Sequence, residues 1–154
     1  MDKAVKLFAL LVLLTSFSTH ADSMLKKMFA KEYENKQGKA LMKAYVLKKG
    51  GEAVPTLIEV MKTSSYPDNN RWMATFLLGQ IMGKDAAPFI AKFLRHPKWF
   101  MRLASLKSLL VLKESSYKSL YATALKDPSM IVRAQALDNI TELGLKDLAP
   151  SVWS

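Results

Sequence analysis

The chain has 154 residues, of which half are apolar and 23% charged, as in an ordinary folded domain. Its 23 Lys and Arg against 13 Asp and Glu give a formal net charge of +10, and it holds no Cys. These values exclude a disordered tail, a disulfide scaffold, a thiolate nucleophile and a Cys-ligated metal, and the length suits one domain rather than two.

The first 21 residues read as an export signal. Lys3 and Lys6 make a short positive start, the apolar run 7–14 follows, and a small-x-Ala site ends at Ala21. A membrane span needs roughly 20 apolar residues, and this run is far shorter. Cleavage after Ala21 is expected, with a bacterial periplasmic or secreted address. The remainder, 22–154, is expected to be one domain. Its first part, 22–50, reads as a degenerate capping repeat with helices near 24–34 and 37–48. Eight lysines crowd this segment. Met24, Leu25, Met28, Phe29 and Tyr33 form an apolar stripe opposite Lys26, Lys27 and Lys31. Those three lysines are therefore candidates for contact with an anionic surface such as lipid headgroups.

A period of 31 residues organises the rest. Arg71, Arg102 and Arg133 follow one another at that spacing. Three residues beyond each stands a small side chain (Ala74, Ser105, Ala136). Seven beyond stand Leu78, Leu109 and Ile140, and ten beyond stand Ile81, Leu112 and Leu143. Offsets of three, seven and ten share one face of an α-helix. Second helices are thus expected near 70–83, 99–113 and 130–143. First helices are expected near 53–63, 86–95 and 117–126, with Pro55 and Pro88 in their opening turns, where the missing N–H costs nothing. Pro67, Pro97 and Pro128 mark the joints. No stretch alternates long enough for a strand. The expected fold is all-α: a right-handed solenoid of about four stacked helix pairs, with a partial fifth near the C-terminus.

These residues resemble the HEAT-repeat family, in particular the short HEAT-like repeats of the phycobilisome-lyase type. Asp127, Val132, Arg133, Ala136 and Ile140 carry that pattern best, and Arg71 and Arg102 keep its Arg. The resemblance implies stacked helix pairs whose second helices line a concave surface.

The inventory does not suggest catalysis. His96 is the one His beyond the signal segment, and it has no cluster of metal ligands around it in sequence. No Ser-His-Asp order and no Gly-rich phosphate loop occurs, so neither metal nor cofactor is expected. Asp127 is expected to cap the following helix and to face Arg133. Arg71, Arg102 and Arg133 are expected to be structural, satisfying turn carbonyls and carboxylates. Where the last joint has Asp127, the earlier joints have His96 and Ser65, so a ladder of Asp–Arg pairs is expected to be broken there.

Trp72, Met73 and Phe76 stand at the outward offsets of the second helix, and Leu103 and Lys107 occupy the corresponding places one repeat later. On a concave surface these five make the candidate partner-binding face. The expected function is that of an exported, non-enzymatic binding or scaffold protein with a protein or peptide partner. The alternative is an electrostatic binder of an anionic surface or polymer, membrane headgroups or nucleic acid, through the lysine-rich segment. Nucleic acid is disfavoured, because the lysines gather at one end and the signal points out of the cell.

Overall fold

Each turn residue noted above ends one helix or starts the next. In the computed structural model, which describes residues 22–148, eight α-helices follow one another, and there is no strand among the described residues. Helix α1 covers 22–30 and α2 covers Lys36–Lys49. The Asn35 side chain caps α2 by accepting from the Gly38 N–H at 2.7 Å. Gly50, at φ +54, lets the chain leave α2.

Helices α3 (Val54–Lys62) and α4 (Asp68–Met82) make the second pair. The third consists of α5 (Ala87–Lys92), extended by a short 3₁₀ turn over Phe93–Arg95, and α6 (Trp99–Val111). The fourth is α7 (Lys118–Ala124) with α8 (Met130–Glu142). Pro55 and Pro88 lie in the first turns of α3 and α5. The pairs stack in one direction: α4 packs on α3 and on α6, and α6 packs in turn on α8. The protein is an α-solenoid of helix pairs. The expected signal segment, 1–21, and the expected partial fifth pair, 149–154, lie outside the described residues.

The 31-residue period is a packing period. Ala74, Ser105 and Ala136 are fully buried, as are Leu78 and Leu109, with Ile140 nearly so. The small residues let the backbones come close, and the large ones fill the layer between helices. The third set differs from expectation. Ile81, Leu112 and Leu143 are only half-buried, because they sit in the last turn of each helix or just beyond it. In the N-terminal pair, Leu25, Phe29, Met42 and Val46 join the same continuous core. That pair is also pinned by a polar contact: the buried Asn70 side chain of α4 donates at 2.7 Å to the carbonyls of Phe29 and Lys31, where α1 ends. A second buried amide works alike at the other end. Asn139 of α8 donates to the Leu106 carbonyl of α6 at 2.8 Å and accepts from Gln135. Buried amides of this kind fix the stacking register, since a shifted helix would leave them unpaired.

Candidate functional site

The three repeated arginines lie at the joints, and their guanidinium groups tie the turns down. Arg102 donates from Nη1 to the carbonyls of His96 and Pro97 at 2.8 and 2.9 Å. Arg133 repeats this at the same offsets, donating to the carbonyls of Asp127 and Pro128. Arg71 is 2% exposed and donates to the Met61 carbonyl at 3.2 Å.

The carboxylate pairing corrects an expectation. Asp127 does not pair through its side chain with Arg133, which uses its backbone carbonyl. Its oxygens instead accept Nε and Nη2 of Arg102, from the preceding repeat, at 2.6 and 2.7 Å. The same carboxylate caps the next turn, accepting the Ser129 N–H at 2.8 Å. Burial raises its proton affinity, but the Arg102 hydrogen bonds, the Ser129 N–H and the charges of Arg102 and Arg133 together hold it below the ordinary carboxylate value.

The ladder of Asp–Arg pairs breaks here as expected, and an imidazole stands in the gap. His96 takes the place of Asp127 one repeat earlier. Its Nδ1 accepts the Lys98 N–H at 3.0 Å, and its Nε2 lies 3.2 Å from Nη2 of Arg71. The rung exists, with imidazole in place of carboxylate. It is a poorer rung: a neutral imidazole has one acceptor nitrogen, and two donors face this ring. Arg71 Nε is buried without a partner among the described residues, and the mostly exposed carboxylate of Asp68 lies 3.6 Å from Nη1. The Phe100 ring, 5.6 Å from the guanidinium carbon, supplies part of the compensation. Burial lowers the His96 pKa, and the charges of Arg71, Arg102 and Lys98 add to that effect.

The outward side of the second helices carries a groove of about 610 Å³. Its floor is the face of α4 that bears Trp72, Met73 and Phe76. One bank is α2, with Lys39, Ala40 and Lys43, and the other is α6, with Ser108, Val111 and Leu112. Trp72 and Phe76 pack together with ring centres 5.5 Å apart, and all three floor residues stay half-buried. Lys107 is exposed and places its ammonium 5.8 Å from the centre of the Trp72 ring.

The structure thus brings four of the five expected face residues together. Leu103 is the exception. It is 6% exposed and belongs to the core. Trp72 occupies the same repeat position on α4 and stays half-buried, with Lys107 of α6 beside its ring. The leucine is swallowed at this position, whereas the larger indole emerges on one side. The α2 bank was missed in the sequence. Lys39 and Lys43, one helical turn apart, were the available signal, but only the packing shows that they flank the aromatic floor.

The amino-terminal lysines divide. Lys26 forms ion pairs with Asp22 at 3.3 Å and Glu59 at 2.7 Å, and so faces its own neighbours rather than a surface. Lys27 and Lys31 are exposed. Among the described residues no helix is long and apolar enough to cross a membrane. No cluster of His, Cys, Asp and Glu there is suited to a metal ion.

A search of curated proteins finds none that matches. A family model of HEAT repeats matches residues 54–141, more than half of the chain and all three repeats that carry the arginine series. With helix pairs stacked at that period and joints clamped by Arg71, Arg102 and Arg133, the chain belongs to the HEAT-repeat family.

Proposed function

We propose that this protein is an exported, non-enzymatic binding or scaffold protein that holds a protein or peptide partner in the groove between α2, α4 and α6. HEAT repeats serve protein interaction, which is the coarse part of this reading. The observation that carries the finer part is the aromatic floor: Trp72, Met73 and Phe76 form a contiguous apolar strip left half-open to solvent. A strip of that kind costs solubility unless something covers it. Export rests on the charge, apolar run and small-x-Ala order of residues 1–21.

The test places a photo-cross-linking amino acid at Met73 in the groove, and separately at Lys92 on α5. Expressed in its own cell, the protein should form a discrete adduct from position 73 and not from position 92. The adduct should vanish when Phe76 is also changed to Asp. Equal labelling from both positions would remove the groove from the account. For export, amino-terminal sequencing of the envelope fraction should begin at Asp22.

A further inference from the structure

Resting on that reading of the groove, we propose that its occupant is an acidic amphipathic helix of the partner protein. Three observations lead there. The first is charge. Lys39 and Lys43 stand on one bank and Lys107 lies beside Trp72, while no Asp or Glu among the described residues lines the groove. The polar wall groups besides these lysines, Asn69, Gln80 and Ser108, are neutral. An apolar strip beside cations is the complement of a helix with an apolar face bordered by carboxylates.

The second is backbone chemistry. Floor and banks are all helical, and helix backbones are hydrogen-bonded within themselves. The groove therefore offers no ladder of N–H and C=O groups to an extended peptide. A segment lying on this apolar floor must satisfy its own backbone, and a helix does so.

The third is spacing. Lys39 and Lys43 are four residues apart on α2, about 6 Å along the axis. Two carboxylates one turn apart on a partner helix match that interval. A single-headed acyl amphiphile would use only one of the two lysines. Ala40, between them, keeps the bank low enough for a helix to approach.

The test uses the full chain and two labelled 16-residue helical peptides in fluorescence anisotropy. Both carry Leu and Phe at helical anchor positions. One has Glu along both borders of that face, and the other has Lys. The wild-type protein should bind the Glu peptide about ten-fold more tightly than the Lys peptide. The double variant K39E/K43E, at one half-buried and one exposed site and with its folding checked by circular dichroism, should reverse the preference. Met73→Glu should weaken both peptides. A preference unchanged in K39E/K43E would overturn the proposal, as would equal binding of the two peptides. Sodium oleate saturating the groove while the Glu peptide stays unbound would also overturn it, in favour of an acyl chain. If neither peptide binds but the Met73 adduct persists, the acidic helix is wrong and the groove reading stands. If the adduct is lost as well, both fall.

Discussion

Arg102 and Asp127 are joined across 25 positions by two short hydrogen bonds, and Arg71 and His96 stand at the same separation, 3.2 Å apart. One rung is a bidentate ion pair. The other faces a guanidinium with an imidazole. The difference makes the two joints unequal, and it can be measured.

Replacing Asp127 by Ala removes the partner of Arg102 and the cap on Ser129 together. The carboxylate is 8% exposed and Arg102 is 13% exposed, so the orphaned guanidinium keeps little water. Urea unfolding should show a loss of about 2–4 kcal/mol. Asp127→Asn, which keeps the shape and one acceptor, should lose less. Because the folded carboxyl lies below its ordinary value, the ion pair contributes fully above that value. Its contribution is lost as pH falls through the folded pKa.

Replacing His96 by Asp should strengthen the weak rung. An Asp there can accept the Lys98 N–H and reach the Arg71 guanidinium, as Asp127 does for Ser129 and Arg102. The gain should be about 1 kcal/mol, net of the lost stacking on Phe93. His96→Ala should instead destabilise. A thermal melt of the two variants beside the wild type decides the sign.

The wild type should also lose stability on mild acidification. The unfolded chain protonates His96 near pH 6.5, while the folded chain resists until lower pH because of burial and the charges of Arg71, Arg102 and Lys98. Stability contributed by the neutral ring is present above pH 6.5 and falls as the pH descends from there towards the folded pKa. His96→Asn, which cannot titrate, should flatten the melting temperature between pH 7 and that lower value.

Lys113→Gly should stabilise the fold. Lys113 ends the α6 region at φ +50, a conformation awkward for a side chain, and Gly144 occupies the same place one repeat later at φ +64. The hydrogen bonds agree as well: Lys113 and Glu114 donate back to Leu110 and Leu109, as Gly144 and Leu145 do to Thr141 and Ile140. Removal of the strain, offset by the looser unfolded chain, should raise stability by about 0.5–1 kcal/mol in urea unfolding.

Gly79→Ala should stabilise for the opposite reason. Gly79 lies inside α4, and an added methyl would meet Ile90 and Leu112 at 3.7 Å, an ordinary contact distance. The helix gains about 0.5–1 kcal/mol from the stiffer unfolded chain, and calorimetry should show a higher melting temperature.

The fold was legible because its signal is repeated. Helices expected near 53–63, 99–113 and 130–143 form over Val54–Lys62, Trp99–Val111 and Met130–Glu142. Arginine, a small residue and a large aliphatic recur at fixed offsets, and each recurrence confirms the period. Pairing between repeats was not legible. Arg133 and Asp127 are six residues apart and look like partners, yet the carboxylate turns back to Arg102. A period shows which positions are equivalent but not which neighbour each side chain faces. The groove was half legible. Trp72, Met73 and Phe76 declared themselves by their bulk at outward offsets. Leu103 misled, because on α6 the same offset is interior. The bank formed by Lys39 and Lys43 escaped notice because α2 lacks the arginine signature that sets the register of the other helices.

The unequal rungs give the stack a hinge point in energy, even where the backbone shows none. In a chain of units that touch only their neighbours, separation begins at the least secured junction. Of the two clasped junctions, the less secured is the one held by Arg71 and His96, between α3–α4 and α5–α6. Native-state hydrogen exchange should therefore find the amides of α4 and α5 that border this seam opening before those between α6 and α8. The groove floor belongs to α4, so slackening at this clasp reaches the binding surface first.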